Sequence, residues 1–145
     1  MEKTKVLFLC SGNSARSQMA EALLRQKARD AFEVYSAGLE PSGLNPYTVR
    51  VLDEVGIDTE YLYSKSLSSF FGKYHFGYLI TVCSKAEEKC PIFPGMGMRL
   101  HWPFDDPAAF KGSDEETLAF FRLIRDQIDA KIVEWLKSQG IEPAK

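Results

Sequence analysis

Across its 145 residues the chain has no apolar run approaching the roughly 20 residues of a membrane span. After Met1-Glu2-Lys3 comes only Val6-Leu7-Phe8-Leu9, too short for a signal-peptide core, so the cytoplasm is the expected compartment and no membrane partner is expected. Blocks of like charge are missing too. Lys and Arg total 18 against 20 Asp and Glu, scattered to a net charge of −2, which argues against a nucleic-acid partner. No internal repeat, low-complexity tract or Pro/Gly/Ser linker offers a boundary, so residues 1–145 are read as one domain, expected to act as a monomer. Histidine is scarce. His75 and His101 stand at no metal-ligand spacing from the cysteines, so no metal is expected and both read as ordinary structural or surface residues. Three cysteines are too few, and odd in number, for a disulfide framework. A chain of this length buries about two-thirds of its unfolded surface without such staples, which leaves the thiols available for chemistry. The Gly-Lys-Ser/Thr of a Walker loop and the dinucleotide glycine fingerprint are both absent, and no cofactor is expected.

What is present reads as strands alternating with helices. Val6 to Leu9 is a continuous apolar run ending at Cys10, followed by a polar loop and the helical pattern Met19, Ala20, Ala22, Leu23, Leu24. Phe32 to Ala37 and Tyr78 to Val82 are further strands, with a fourth over Met98 to Trp102. Asn45 and Pro46 open a helix through Val49, Leu52 and Val55 to a stop at Gly56. Ser84 to Lys89 is a short helix closed by Pro91. The last helix has a capping box, Ser113 with Glu116, and then Leu118, Phe121, Ile124, Ile128, Ile132 and Leu136 at helical spacing until Gly140. Such alternation predicts an α/β fold with a mostly parallel sheet and a ligand site at the carboxyl ends of its strands, where Cys10 and Cys83 both stand.

The chemistry is concentrated in Cys10-Ser11-Gly12-Asn13-Ser14-Ala15-Arg16-Ser17. A loop between a strand-end cysteine and a helix-start arginine can curl so that successive backbone N–H groups point inward as an anion nest. Gly12 and Asn13 are residue types that tolerate the positive φ such a curl requires. Arg16 adds a planar fork of donors suited to a tetrahedral oxyanion. Cys10 faces the same N–H groups and the positive end of the helix, which favours its thiolate, and the Ser17 hydroxyl is placed to donate to it. The competing reading is a core thiol at a strand end beside a surface arginine. Strand before, Gly-Asn within and helix after favour the nest.

Cys10 to Gln18, with Asp106-Pro107 far downstream, resembles the low-molecular-weight protein tyrosine phosphatase superfamily and, more narrowly, the thioredoxin-coupled arsenate reductases built on that fold. The resemblance runs through Tyr35-Ser36-Ala37-Gly38, Leu44-Asn45-Pro46, Val55-Gly56-Ile57-Asp58, Cys83, Cys90-Pro91 and His101-Trp102-Pro103-Phe104-Asp105-Asp106-Pro107-Ala108. It implies a three-layer α/β fold, a four-stranded parallel sheet flanked by helices, with the anion loop after the first strand. It also implies arsenate as substrate, phosphate and sulfate as competitors, and thioredoxin as reductant. Asp106 falls where the family carries its general acid.

Phosphatase and reductase share the nest, the cysteine and the arginine, so the other thiols must distinguish them. Reducing As(V) to As(III) takes two electrons that one thiolate cannot supply without a partner. Cys83 and Cys90 supply a partner and a second relay. Cys83 at a strand end can also be a packing residue, whereas Cys90 follows the polar stretch Lys85 to Lys89, where little is expected to bury it. The alternative function is a phosphatase acting on phosphotyrosine or aryl phosphates through a Cys10 phosphocysteine. Against it, Ala108-Ala109-Phe110 stands where the phosphatases carry substrate-stacking tyrosines, and Gln18 replaces their usual proline. Two departures from the reductases remain. Ala15 replaces a cysteine that lies outside the relay. Some members bind potassium through residues matching Asn13, Glu21 and Ser36 plus an aspartate, but here the fourth position is Lys65, whose ammonium repels the ion or replaces it.

Overall fold

In the computed structural model, residues 3–70, 72–90 and 96–144 are described. Four strands, β1 (Thr4–Cys10), β2 (Phe32–Gly38), β3 (Phe76–Thr81) and β4 (Met96–His101), form one sheet in the order β2-β1-β3-β4. Every pairing is parallel. Val6, Leu7, Phe8 and Leu9 of the central β1 are all fully buried, which explains why β1 reads as an unbroken apolar run rather than an alternating one.

The helices are α1 (Arg16–Ala28), α2 (Pro46–Asp53), α3 (Ser84–Lys89) and α4 (Asp114–Ser138). α4 begins as its sequence predicts: the Ser113 hydroxyl accepts from the Glu116 N–H and the Glu116 carboxylate from the Ser113 N–H. Leu118, Phe121, Ile124, Ile128, Ile132 and Leu136 are buried along it, and Trp135 packs among Phe32, Tyr78 and Trp102 of the sheet side. α1 is buried all round from Ser17 to Leu24, including Ser17, Gln18 and Glu21. Polar side chains in that setting need internal partners, and Ser17, Glu21 and the amide nitrogen of Gln18 have them near the loop.

Several boundaries differ from the sequence reading. α2 ends at Asp53 and buries Thr48, Val51 and Leu52, while Val55 is exposed, because the chain turns at Gly56 with φ 77° instead of carrying the apolar face onward. β3 and β4 each begin two residues early, so Val82 and Trp102 lie just past the strand ends. A single turn of 3-10 helix at Leu67–Phe70 had no clear periodic signal. Pro91 lies outside the described residues.

Candidate active site

β1 delivers Cys10 to the edge of the sheet, and the chain curls through residues 11–15 before α1 begins at Arg16. The curl is pinned from outside. Leu39, Glu40, Ser42 and Asn45 donate their N–H groups to the carbonyls of Cys10, Ser11, Gly12 and Ser14 at 2.8–3.2 Å. The Ser64 and Thr48 hydroxyls add bonds to Gly12 and Ser14, and Gln18 Nε2 takes the Asn13 carbonyl at 3.0 Å. In a trans peptide the N–H opposes the C=O, so a loop whose carbonyls face the 39–48 segment turns its N–H edge inward. Ala15 gives α1 no side-chain cap, which leaves the first-turn donors of the helix for an anion. The hollow so formed has a volume of about 290 Å³ and is lined by Cys10, Gly12, Ser14, Arg16, Ser42 and Asp106, among others.

Of the two residues expected to supply positive φ, only Asn13 does, at 48°. Gly12 is small for another reason. A Cβ there would lie 2.5 Å from the Ser42 hydroxyl, so glycine lets the outer segment close on the loop.

Asn13 organises the polar floor. Its Oδ1 accepts from the Lys65 N–H at 2.9 Å and Gln18 Nε2 at 3.1 Å, which orients the amide, and its Nδ2 donates to Ser17 Oγ at 2.8 Å and Ser36 Oγ at 2.9 Å. Because Ser17 accepts from Asn13, its own proton is directed at Cys10 Sγ, 2.9 Å away. That is the donation the sequence suggests. Ser36 in turn donates to Glu21 Oε1 at 2.6 Å.

Lys65 takes the place expected for a monovalent cation. Its Nζ lies 3.6 Å from Glu21 Oε1 and 3.4 Å from Ser36 Oγ, and donates to the Tyr63 carbonyl at 2.9 Å. Burial pulls this lysine below the ordinary value of 10.5, with Glu21 opposing the shift. A tethered ammonium on those acceptors does not fit a bound potassium ion. Among the described residues, no three His, Cys, Asp or Glu side chains cluster as a metal site.

Arg16 projects into the hollow with its Nη1 anchored on the Phe104 carbonyl at 3.0 Å and its Nη2 3.7 Å from Asp106 Oδ2. Asp106 caps the short turn at Pro107–Ala109 through the Ala108 N–H and remains partly exposed. Cys10, Arg16 and Asp106 therefore share one hollow. Cys83 lies just past β3, beside β1 in the parallel ladder, and its Sγ is 3.5 Å from Ser11 Oγ. Cys90 stands at the other end of α3, as its C-cap. All three cysteines are buried thiols. For Cys90 this corrects the expectation of exposure: it is 8% exposed, and Arg99 of β4 reaches its carbonyl at 3.5 Å. Burial pushes the Cys90 thiol up, while Arg99 pulls it down and Glu87 up.

Gly38, Glu87 and Arg99 are site neighbours that the sequence reading did not single out. Gly38 had a signal, a glycine ending a strand beside the loop. Glu87 and Arg99 had none, being charged residues in polar stretches.

These features agree with comparison to known proteins. Residues 5–143 match the family described as low molecular weight phosphotyrosine protein phosphatase. An arsenate reductase from Bacillus subtilis (strain 168) is 43% identical over 138 residues, covering 95% of this chain and 99% of that protein. The solved structure of an arsenate reductase in a phosphate-binding state superposes with a TM-score of 0.78 at 28% identity, covering 93% of this chain and 98% of the other. A thioredoxin-dependent arsenate reductase from Corynebacterium glutamicum superposes with a TM-score of 0.69 at 31% identity, over 94% of this chain and 61% of that one. The chain belongs to the low-molecular-weight phosphotyrosine protein phosphatase family, and its similarity to relatives named arsenate reductase spans almost its whole length.

Proposed function

We propose that this protein reduces arsenate to arsenite by a three-thiol relay, as a single-domain cytoplasmic monomer recycled by thioredoxin. One observation carries the reading: a second thiol, Cys83, borders the anion loop through Ser11, and a third, Cys90, closes the same six-residue helix that Cys83 opens. A phosphatase needs neither.

Arsenate binds the loop N–H groups of residues 11–16 and the fork of Arg16. The Cys10 thiolate attacks arsenic, an As–S bond forms, and an oxygen leaves as water with a proton from Asp106. Cys83 then attacks the Cys10 sulfur. An S–S bond forms, the As–S electron pair stays on arsenic, and As(V) becomes As(III), released as arsenite. Cys90 attacks Cys83, and Cys10 departs as a thiolate with its electron pair. An external dithiol, by the likeness to relatives thioredoxin, returns two electrons to the Cys83–Cys90 disulfide.

The same hollow supports aryl phosphate hydrolysis as a lesser activity, since Cys10, Arg16 and Asp106 suffice for it. The deciding experiment is paired: thioredoxin-dependent NADPH oxidation with arsenate, and phenol release from an aryl phosphate. Phenol release without arsenate-dependent oxidation would overturn the reductase reading. Sulfate and phosphate should compete in both assays.

A further inference from the structure

α3 is too short to hold itself together. Isolated helices under about 12–15 residues are marginal, and α3 has 6, of which only Ala86 is buried. Its support is polar and gathers at its C-terminal end, where the last carbonyls of a helix lack intrahelical partners. There Arg99 Nη2 donates to the Glu87 carbonyl, Nη1 reaches the Cys90 carbonyl at 3.5 Å, and Nη2 lies 3.2 Å from Glu87 Oε1. The other Glu87 oxygen accepts from Thr81 Oγ1 and lies 3.5 Å from His101 Nδ1. Arg99, Thr81 and His101 all stand on the sheet, so the cluster fastens helix to sheet at the turn that carries Cys90.

The other end of α3 depends on Cys83 itself, whose Sγ accepts from the Ala86 N–H at 3.4 Å. A helix rises 1.5 Å per residue, which sets the Cys83 and Cys90 α-carbons about 10 Å apart. A disulfide tolerates about 7 Å. The relay therefore needs an α3 that is closed at first and open later.

We propose that Arg99 is a positioning residue of the thiol relay, whose guanidinium clamps the last turn of α3 and keeps Cys90 away from Cys83 until Cys83 has engaged Cys10. The proposal rests on the relay reading above. Once Cys83 bonds to Cys10, its sulfur no longer caps α3, and the Arg99–Glu87 cluster is left to tie the last turn of the helix to the sheet. Release then lets the Cys90 thiolate attack Cys83: the Cys83–Cys90 bond forms, the Cys10–Cys83 bond breaks, and Cys10 leaves as a thiolate. Before that point, a closed α3 prevents an unproductive Cys83–Cys90 bond in the reduced enzyme.

The test uses Arg99→Met in a Cys10→Ser background, with two readouts. The first is the limiting rate of Cys90 alkylation by iodoacetamide at high pH, where ionisation is complete and the rate reports exposure rather than the lost cation. The second is the rate of Cys83–Cys90 formation with diamide, which accepts the two electrons and both thiol protons. Both should rise by about tenfold or more, and Arg99→Lys, which keeps the charge without the fork, should fall between. With Cys10 intact, Arg99→Met should turn over aryl phosphate like the wild type. If it does not, the fold is disturbed, and Arg99→Lys, which keeps the charge and the aliphatic stem but loses the fork on the two carbonyls, decides by the same two rates. Unchanged rates overturn the clamp. A wild-type enzyme that completes arsenate turnover without ever carrying a Cys83–Cys90 disulfide overturns the relay reading, and the clamp's role with it.

Discussion

Replacing Gly38 by alanine tests whether the anion loop is as tightly held as its hydrogen bonds imply. A Cβ at this position would lie 2.8 Å from the Asn13 nitrogen, 2.8 Å from the Ser11 carbonyl oxygen and 2.9 Å from the Gly12 carbonyl carbon. Ordinary contacts involving carbon begin near 3.5 Å, so three backbone atoms must each retreat by about 0.6 Å. They cannot do so independently, because the Ser11 carbonyl accepts from Glu40 at 2.8 Å and the Gly12 carbonyl from Ser42 at 3.0 Å. Gly38 is not at a positive φ, so alanine adds no backbone strain and the effect is steric. Overpacking of this kind costs about 1–3 kcal/mol, small enough for the fold to survive with its Tm lowered by roughly 3–10 °C. Function should suffer more. Displacing a catalytic array by about 1 Å costs on the order of a hundredfold, so kcat/KM should fall about that much for arsenate and aryl phosphate alike. Sulfate should also bind more weakly, measured by titration calorimetry. A Gly38→Ala enzyme with wild-type sulfate affinity and both activities intact would refute the claim that β2 buttresses the loop.

Arg16→Lys should reduce both activities by about a hundredfold or more, because an ammonium cannot reproduce the fork held on the Phe104 carbonyl; near wild-type efficiency would displace Arg16 from the site. Cys83→Ser should stop arsenate turnover while sparing aryl phosphate hydrolysis, and Cys90→Ser should complete one turnover and accumulate a Cys10–Cys83 disulfide, read by peptide mass mapping. Equal loss of aryl phosphatase activity in Cys83→Ser would favour a packing role instead. At low pH the docking of α2 on α4 should weaken. Arg122 and Arg125 hold Glu54 below its ordinary 4.5, and Tyr47 and Arg50 hold Asp114 below 3.8, so the native state takes up protons less readily than the unfolded chain. The stability they add is present above those ordinary values and lost as pH falls through the lowered native ones. Urea midpoints should drop below about pH 4.5, less steeply in Glu54→Gln; identical profiles for the two proteins would remove Glu54 from the account.

Legibility in the sequence tracked how local each constraint is. The loop from Cys10 to Ser17 and the whole of α4 could be read directly, since spacing, caps and apolar period all lie within one segment. Ser17 can be assigned to Cys10 for the same reason, being the second residue of α1. Residues whose role depends on a distant neighbour were opaque. Gly12 looks like a φ glycine, but its φ is not positive and the neighbour that crowds it is Ser42, thirty positions on. Cys90 looks exposed among charged residues yet is buried in the fold, and its neighbour Arg99 arrives only with β4, nine positions on. Lys65 is an intermediate case. Its departure from the family pattern was visible, yet its contacts with Glu21, Ser36 and Tyr63 emerge only when the segments meet.

How the two halves of the site are held also explains how one frame can serve two chemistries. Every loop carbonyl from Cys10 to Ala15 has a partner from β2's outgoing segment, α1 or a neighbouring hydroxyl, and the floor beneath is fixed by Asn13. Opening it breaks many bonds together, which suits a binding site that must present fixed donors to an oxyanion. α3 is the opposite: one buried residue, a cysteine at each end, and a single ionic cluster to the sheet. For the proposed relay low local stability is a requirement rather than a defect, because α-carbons about 10 Å apart on a helix are too far for a disulfide until it opens. Phosphoryl chemistry uses only the rigid half. Two-electron chemistry, in the relay proposed above, adds no second pocket; it needs a weak helix beside the first pocket, with sulfur at both ends and a clamp that can let go.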